Sequence, residues 1–125
     1  MDLVERVCSV YSIEPRRVFL TGWSVGGGQA WKIAIHNPER FGGAAPVGNE
    51  AMWLTPKNTG KARDLPVLYS IAGTEAENGR RTAALAKDLL RNFTYKEYPD
   101  TEHATVWYAA LPVMFDFFDR QTQSK

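Results

Sequence analysis

Apolar positions change period several times along this chain, and the changes predict the order of its elements. Leu3, Val4, Val7, Cys8 and Tyr11 recur at helical spacing, and Glu14-Pro15 turns the chain out of that first helix. Residues 17–21 are a short run rich in strand formers. After a glycine cluster, 29–36 returns to helical spacing with Ala30, Trp31, Ile33, Ala34 and Ile35. Those five residues cover much of the helix circumference, which predicts burial on more than one side. Asn37-Pro38 ends the helix. Residues 41–47 read as a weaker strand of small residues, interrupted by glycine and proline. The clearest strand is 66–73, continuous and apolar as a parallel strand covered on both faces should be. A loop at 74–79 leads into a helix whose inner stripe is Leu85, Ala86, Leu89, Leu90 and Phe93. Residues 93–98 alternate as a last strand. Pro112 suits the first turn of a final helix that packs through Val113, Met114, Phe117 and Phe118.

Between 48 and 65 there is little pattern. Loops of that length often shape a binding site, with Met52, Trp53 and Leu54 as an apolar wall; the same three residues equally suit a short packed helix. Helices and strands otherwise alternate, which predicts an α/β fold, a three-layer sandwich around a mostly parallel sheet. Right-handed crossovers then bring the strand ends that carry Ser24, the loop after Gly73 and His103 to one edge of the sheet.

Composition narrows the function. A length of 125 residues suits one domain. With 15 Lys and Arg against 14 Asp and Glu, and basic residues only in scattered pairs, neither a nucleic acid nor a membrane surface is expected as a partner. Cys8 is the only cysteine, which excludes an intrachain disulfide and a thiolate metal cluster and leaves it as a small apolar packing residue. The two histidines are isolated, so no metal and no cofactor are expected. No apolar run approaches the ~18 residues of a membrane span, and residues 1–11 carry acids unlike a signal peptide. A soluble chain follows, cytoplasmic by default.

The candidate chemistry lies in Thr21-Gly22-Trp23-Ser24-Val25-Gly26-Gly27-Gly28, between a strand and a helix. Gly22-x-Ser24-x-Gly26 matches the nucleophile-elbow pattern, in which a serine sits on a sharp, strained turn. Gly22 and Gly26 are expected to be small so that strand and helix can close on each other. Three successive glycines at a helix start forgo roughly 2–3 kcal/mol of helix propensity, a loss that a plain turn would not repay. Phosphate-binding loops fail on spacing, because Gly28 is not followed by the third glycine of a dinucleotide fingerprint and no Gly-Lys-Ser/Thr is present. His36 falls in the last turn of its helix and reads as a solvent-facing residue.

These residues, in order, resemble the α/β-hydrolase superfamily. Within it the likeness is to the C-terminal portion of the esterase, dienelactone-hydrolase and polyhydroxybutyrate-depolymerase-like (predicted peptidase) group. The resemblance rests on Val18 to Gly27, on Asn37-Pro38-Glu39-Arg40-Phe41 with the strand of small residues after it, on Ala72-Gly73-Thr74, and on Glu97-Tyr98-Pro99 shortly before His103. It implies a serine hydrolase that cleaves carboxylic esters, small or polymeric, through an acyl-enzyme. Ser24 would be the nucleophile, His103 the general base and the Val25 backbone N–H an oxyanion donor. The chemistry needs these types, since a serine hydroxyl is a weak nucleophile until a neutral imidazole takes its proton.

Two departures from the family's pattern stand out. Its acid is usually an Asp three residues past the glycine that ends the preceding strand, a place held here by Ala76 between Glu75 and Glu77. Glu77, on its longer reach from the loop, is the favoured acid, with Glu75 the alternative. The early strands are also missing, which makes residues 1–125 a single but incomplete hydrolase domain without the loop that supplies the second oxyanion donor. The first strand would then expose an edge open to a second copy. The competing reading is a non-catalytic or truncated hydrolase-like domain with a binding role.

Overall fold

A computed structural model describes residues 3–11, 14 and 17–123. The side chains of Val4, Cys8 and Tyr11, and the turn at Pro15, lie outside the described residues. Helix α1 (Leu3–Tyr11) is followed by strand β1 (Phe19–Trp23), helix α2 (Val25–His36), strand β2 (Gly43–Val47), short helix α3 (Pro56–Thr59), strand β3 (Val67–Ala72), helix α4 (Ala76–Leu89), strand β4 (Phe93–Tyr98) and helix α5 (Val106–Gln123). Single 3₁₀ turns at Pro38–Arg40, Gly60–Ala62 and Gly73–Glu75 fill the connections. No described helix is long and apolar enough to cross a membrane.

The four strands form one parallel sheet in the order β1-β2-β3-β4. Strand β3 is buried along its whole length and its side chains alternate between two cores. Val67, Tyr69 and Ile71 face a core built from Trp31, Ile35, Leu54, Ala86 and Leu90; Leu68 and Ala72 face Val106, Ala110, Met114 and Phe117. Helices α2 and α4 therefore cover one face and α5 the other, the three-layer arrangement that a continuous apolar strand requires. Strand β4 is half-covered. Its Glu97 accepts a bidentate pair from Arg80 and a hydrogen bond from Tyr95, and these hold its carboxyl below the ordinary range, Arg80 most of all.

Several expectations are corrected. Helix α2 starts at Val25, four residues before the helical spacing that begins at Gln29, so Gly26, Gly27 and Gly28 form its first turn, at the helix start where the sequence places them. Its burial is one stripe, Gly27, Ala30, Trp31, Ala34 and Ile35, while Ile33 is exposed, because no layer lies beyond it. Helix α4 begins at Ala76, which turns the expected loop at 74–79 into helix. Helix α5 starts six residues before Pro112, because Val106, Ala110, Met114 and Phe117 form a buried stripe that outweighs one proline. Pro112 removes the hydrogen bond to the Tyr108 carbonyl, but both residues are exposed and water can replace it. The short helix of the 48–65 connection is Pro56–Thr59, closed by a reciprocal Thr55–Asn58 cap; Met52, Trp53 and Leu54 precede it.

The steric role assigned to Gly22 and Gly26 divides differently. A Cβ on Gly22 would collide with the Gly26 carbonyl, and one on Gly27 would lie 2.8 Å from the Gly22 oxygen and 2.9 Å from the Val47 backbone, whereas one on Gly26 would meet nothing within 4 Å. Gly27→Ala should therefore cost roughly 1–3 kcal/mol by overpacking, while Gly26→Ala should leave stability unchanged or raise it by up to about 1 kcal/mol. Chemical denaturation of the two variants checks this, and equal losses would contradict it.

Candidate active site

Ser24 stands between β1 and α2 in a conformation that side-chain-bearing residues avoid. Its φ of 60° and ψ of −122° make it the one non-glycine residue with positive φ among those described. That is close to the mirror image of an extended L-residue, open to glycine and strained by about 1–3 kcal/mol for anything with a Cβ. The surroundings hold it there. The Ser24 N–H donates to the Val47 carbonyl at 2.8 Å, which continues the β1–β2 ladder, and the Gly28 N–H donates to the Ser24 carbonyl at 3.1 Å, which begins the helix. Ser24 occupies the N-cap position, yet its hydroxyl makes no capping bond. A serine there usually stabilises its helix by about 0.5–2 kcal/mol; this one is turned elsewhere.

It is turned to His103. The Ser24 Oγ lies 3.0 Å from His103 Nε2, and His103 Nδ1 lies 2.9 Å from Glu75 Oε1. With Nδ1 carrying the proton and donating to the carboxylate, Nε2 is left to accept from the serine hydroxyl. The imidazole is fixed from outside the line as well. The Trp23 indole N–H donates to the His103 carbonyl at 2.7 Å, and the two rings lie 4.9 Å apart, tilted. Gly48, with φ of 70°, passes close under the imidazole, where a Cβ would sit 3.5 Å from the ring. Both members of the pair are partly open to solvent, the His103 side chain 40% and Glu75 34% exposed.

The parallel sheet explains why three distant segments meet. Trp23 aligns with Val47 and Ala72 with Tyr98, so the turn at Ser24, the turn at Glu75 and the loop at His103 leave the same end of neighbouring strands. The Thr74 N–H reaches the Thr101 carbonyl at 3.5 Å, and Gly73 lets the two loops close, since a Cβ there would collide with the Pro99 carbonyl. Beneath them, the Tyr69 hydroxyl donates to the Asn49 carbonyl and so ties down the chain leaving β2. Burial pushes the Tyr69 phenol pKa well up, which keeps that donor protonated.

The carboxylate on the imidazole is Glu75, not the favoured Glu77. An extended loop would have sent both glutamates the same way, but Gly73–Glu75 is a 3₁₀ turn and α4 follows at once. Glu75 closes the turn toward His103, while Glu77, two residues on and roughly 200° around the helix axis, is exposed. Val25 is the first residue of α2, so its backbone N–H has no carbonyl within the helix to bond and lies at the positive end of the helix dipole. Of the apolar wall candidates, Trp53 lines the cleft beside Ser24, Leu54 is buried in the core and Met52 is exposed. His36 is exposed and stacks 6.4 Å from Trp53. The cleft beside Ser24 holds about 380 Å³. A larger one, about 570 Å³ among Pro38, Gly42, Pro66 and Asn92, opens at the other end of the strands and carries no such set of side chains; open α/β sheets bind ligands at the carboxyl ends. Among the described residues no three or more His, Cys, Asp or Glu gather as metal ligands.

Replacing Ser24 by glycine should relieve the backbone strain and raise stability by about 1–3 kcal/mol, whereas Ser24→Ala keeps the Cβ and should gain far less. Denaturation midpoints of the two proteins decide it, and a glycine variant no more stable than the alanine one would show that the turn is not strained.

No family profile and no curated protein matches the chain. Solved structures do. It is similar to SOBER1 of Arabidopsis thaliana, with a TM-score of 0.66 and 20% identity over 95% of this chain and 62% of that one. A substituted form of SOBER1 matches alike, with a TM-score of 0.66 and 19% identity over 95% and 63%. A thermostable esterase matches at a TM-score of 0.74 and 20% identity over 94% of this chain and 34% of that one. The chain thus spans less than two thirds of the length of each of these structures. Four parallel strands between helical layers, with Ser24 on the turn at their carboxyl ends, give this chain the fold of part of SOBER1 and of the thermostable esterase.

Proposed function

We propose that the chain is a serine hydrolase that cleaves carboxylic esters through an acyl-enzyme. The observation that carries this reading is the line of hydrogen bonds from Ser24 through His103 to Glu75, anchored on a serine whose backbone is strained and whose capping bond is forgone. Ser24 Oγ attacks the ester carbonyl carbon while His103 Nε2 takes its proton. Glu75 holds the imidazole in the tautomer that can accept, and balances the charge it acquires. The oxygen that becomes negative in the tetrahedral intermediate is met by the Val25 N–H at the start of α2. His103 then returns the proton to the departing alcohol, and a water activated by the same imidazole releases the acid and restores Ser24.

An alkyl fluorophosphonate should label Ser24, read by mass spectrometry, and the Ser24→Ala protein should remain unlabelled. Glu75→Gln should lower kcat for a simple ester by about 10⁴-fold, the usual cost of leaving the imidazole unoriented, while Glu77→Gln should leave it unchanged. Absence of labelling would overturn the hydrolase reading in favour of a binding domain, and equal losses at both glutamates would overturn the assignment of the acid.

The sheet suggests a partner as well. Strand β1 is the terminal strand of the sheet, with no strand beyond it among the described residues. Phe115, 62% exposed, stands beside it over Phe118, which stacks on Phe19 at 4.5 Å. We propose that a second chain adds to this edge. Light scattering and ester turnover on one sample test it: association with activity rising at higher protein concentration is expected, and a strictly monomeric, fully active chain would overturn it.

A further inference from the structure

Gly28 is a glycine without a packing reason. A Cβ there would meet nothing within 4 Å, unlike the colliding positions at Gly22 and Gly27, so at this place in α2 the sequence gives up helix propensity and gains no close approach. What lies in front of it is the cleft beside the nucleophile. Ser24, Gly28 and Lys32 are four residues apart on one face of α2 and all three line that cleft, with Gly48, Asn49 and Trp53 opposite. Along the helix axis Gly28 lies about 6 Å and Lys32 about 12 Å from Ser24. The far end is closed by the Trp53 indole, over which the Lys32 ammonium sits 5.3 Å from the ring centre.

We propose that this groove takes the acyl arm of the ester and that Gly28 sets how long an arm can be. The proposal rests on the hydrolase reading above. The acyl arm is the one assigned to it because the departing alcohol leaves on the His103 side of Ser24, whereas the groove runs from Ser24 along α2 and His103 is not among its lining residues. The preferred arm is a straight, uncharged chain of medium length that passes over Gly28 and ends against the indole. A charged arm gains nothing, since Lys32 and Glu50 line the groove with opposite signs.

The p-nitrophenyl esters of acetic, butyric, hexanoic and octanoic acids test it with the wild-type, Gly28→Ala and Gly28→Leu proteins. The ratio of kcat/KM for hexanoate to that for acetate, which is too short to reach position 28, should fall in the order Gly, Ala, Leu, by at least tenfold at Leu. A length profile that is the same in all three proteins would overturn the proposal, as would a loss that follows the alcohol in a series of alkyl acetates. Binding provides a readout independent of turnover. In Ser24→Ala protein, methyl hexanoate should shift the Gly28 amide and Trp53 indole NMR signals, and methyl acetate neither. Absence of turnover in the wild-type protein, with those shifts present in Ser24→Ala, would count against the hydrolase reading and in favour of the groove; methyl hexanoate without the shifts would overturn the groove whatever the enzyme activity.

Discussion

Everything at this site depends on how closely the end of β1 and the start of α2 approach each other. The Cβ positions of Gly22 and Gly27 are filled by backbone of the other element or of β2, so no side chain larger than hydrogen fits at either. That approach leaves the intervening residue a single way to turn, and the residue is Ser24, forced to positive φ. The strain is small beside the burial of Trp31, Ile35 and Ala34, which pins the helix behind it to the sheet. A strained residue persists where its surroundings over-determine it, and here the β1–β2 ladder on one side and the first helical turn on the other do so.

The second constraint is the parallel register. In a parallel sheet every strand ends at the same edge, so segments some 79 residues apart in the chain are delivered to one place by the alignment of their strands. The loops then need only short, local devices to complete the arrangement. These are a 3₁₀ turn that aims Glu75, a glycine at 73 that lets two loops touch, and an indole at 23 that takes hold of the His103 backbone. Each is a modest interaction. Together they fix His103 by its ring, its Nδ1 and its carbonyl.

Helix α2 joins the two halves of the site. Its first N–H groups have no partner within the helix and lie at the positive end of its dipole, and its exposed face continues from Ser24 through Gly28 as the floor of the neighbouring cleft. The helix is weakened at its start by three glycines and by a serine that does not cap it. Only Gly27 among the three is required by packing; a Cβ on Gly26 or Gly28 would meet nothing within 4 Å.

Much of this was written in the chain itself. The buried strand at 67–72 and the alternating one at 93–98 follow from hydrophobic period, which reports burial that any α/β packing must satisfy, while the turn at Ser24 follows from its glycine spacing and its nearness to His103 from the right-handed crossovers of a parallel sheet. Local signals misled where a tertiary layer overrode them: Pro112 reads as a helix start, yet the buried stripe from Val106 to Phe117 carries the helix through it, and Gly26 reads as a steric need that the geometry assigns to Gly27. Sequence could narrow the carboxylate on His103 only to two glutamates. The choice between Glu75 and Glu77 depended on whether residues 73–75 run straight or turn, and that was decided by the approach of the Gly73 and Pro99 backbones, a contact between two strands' loops that no local pattern encodes.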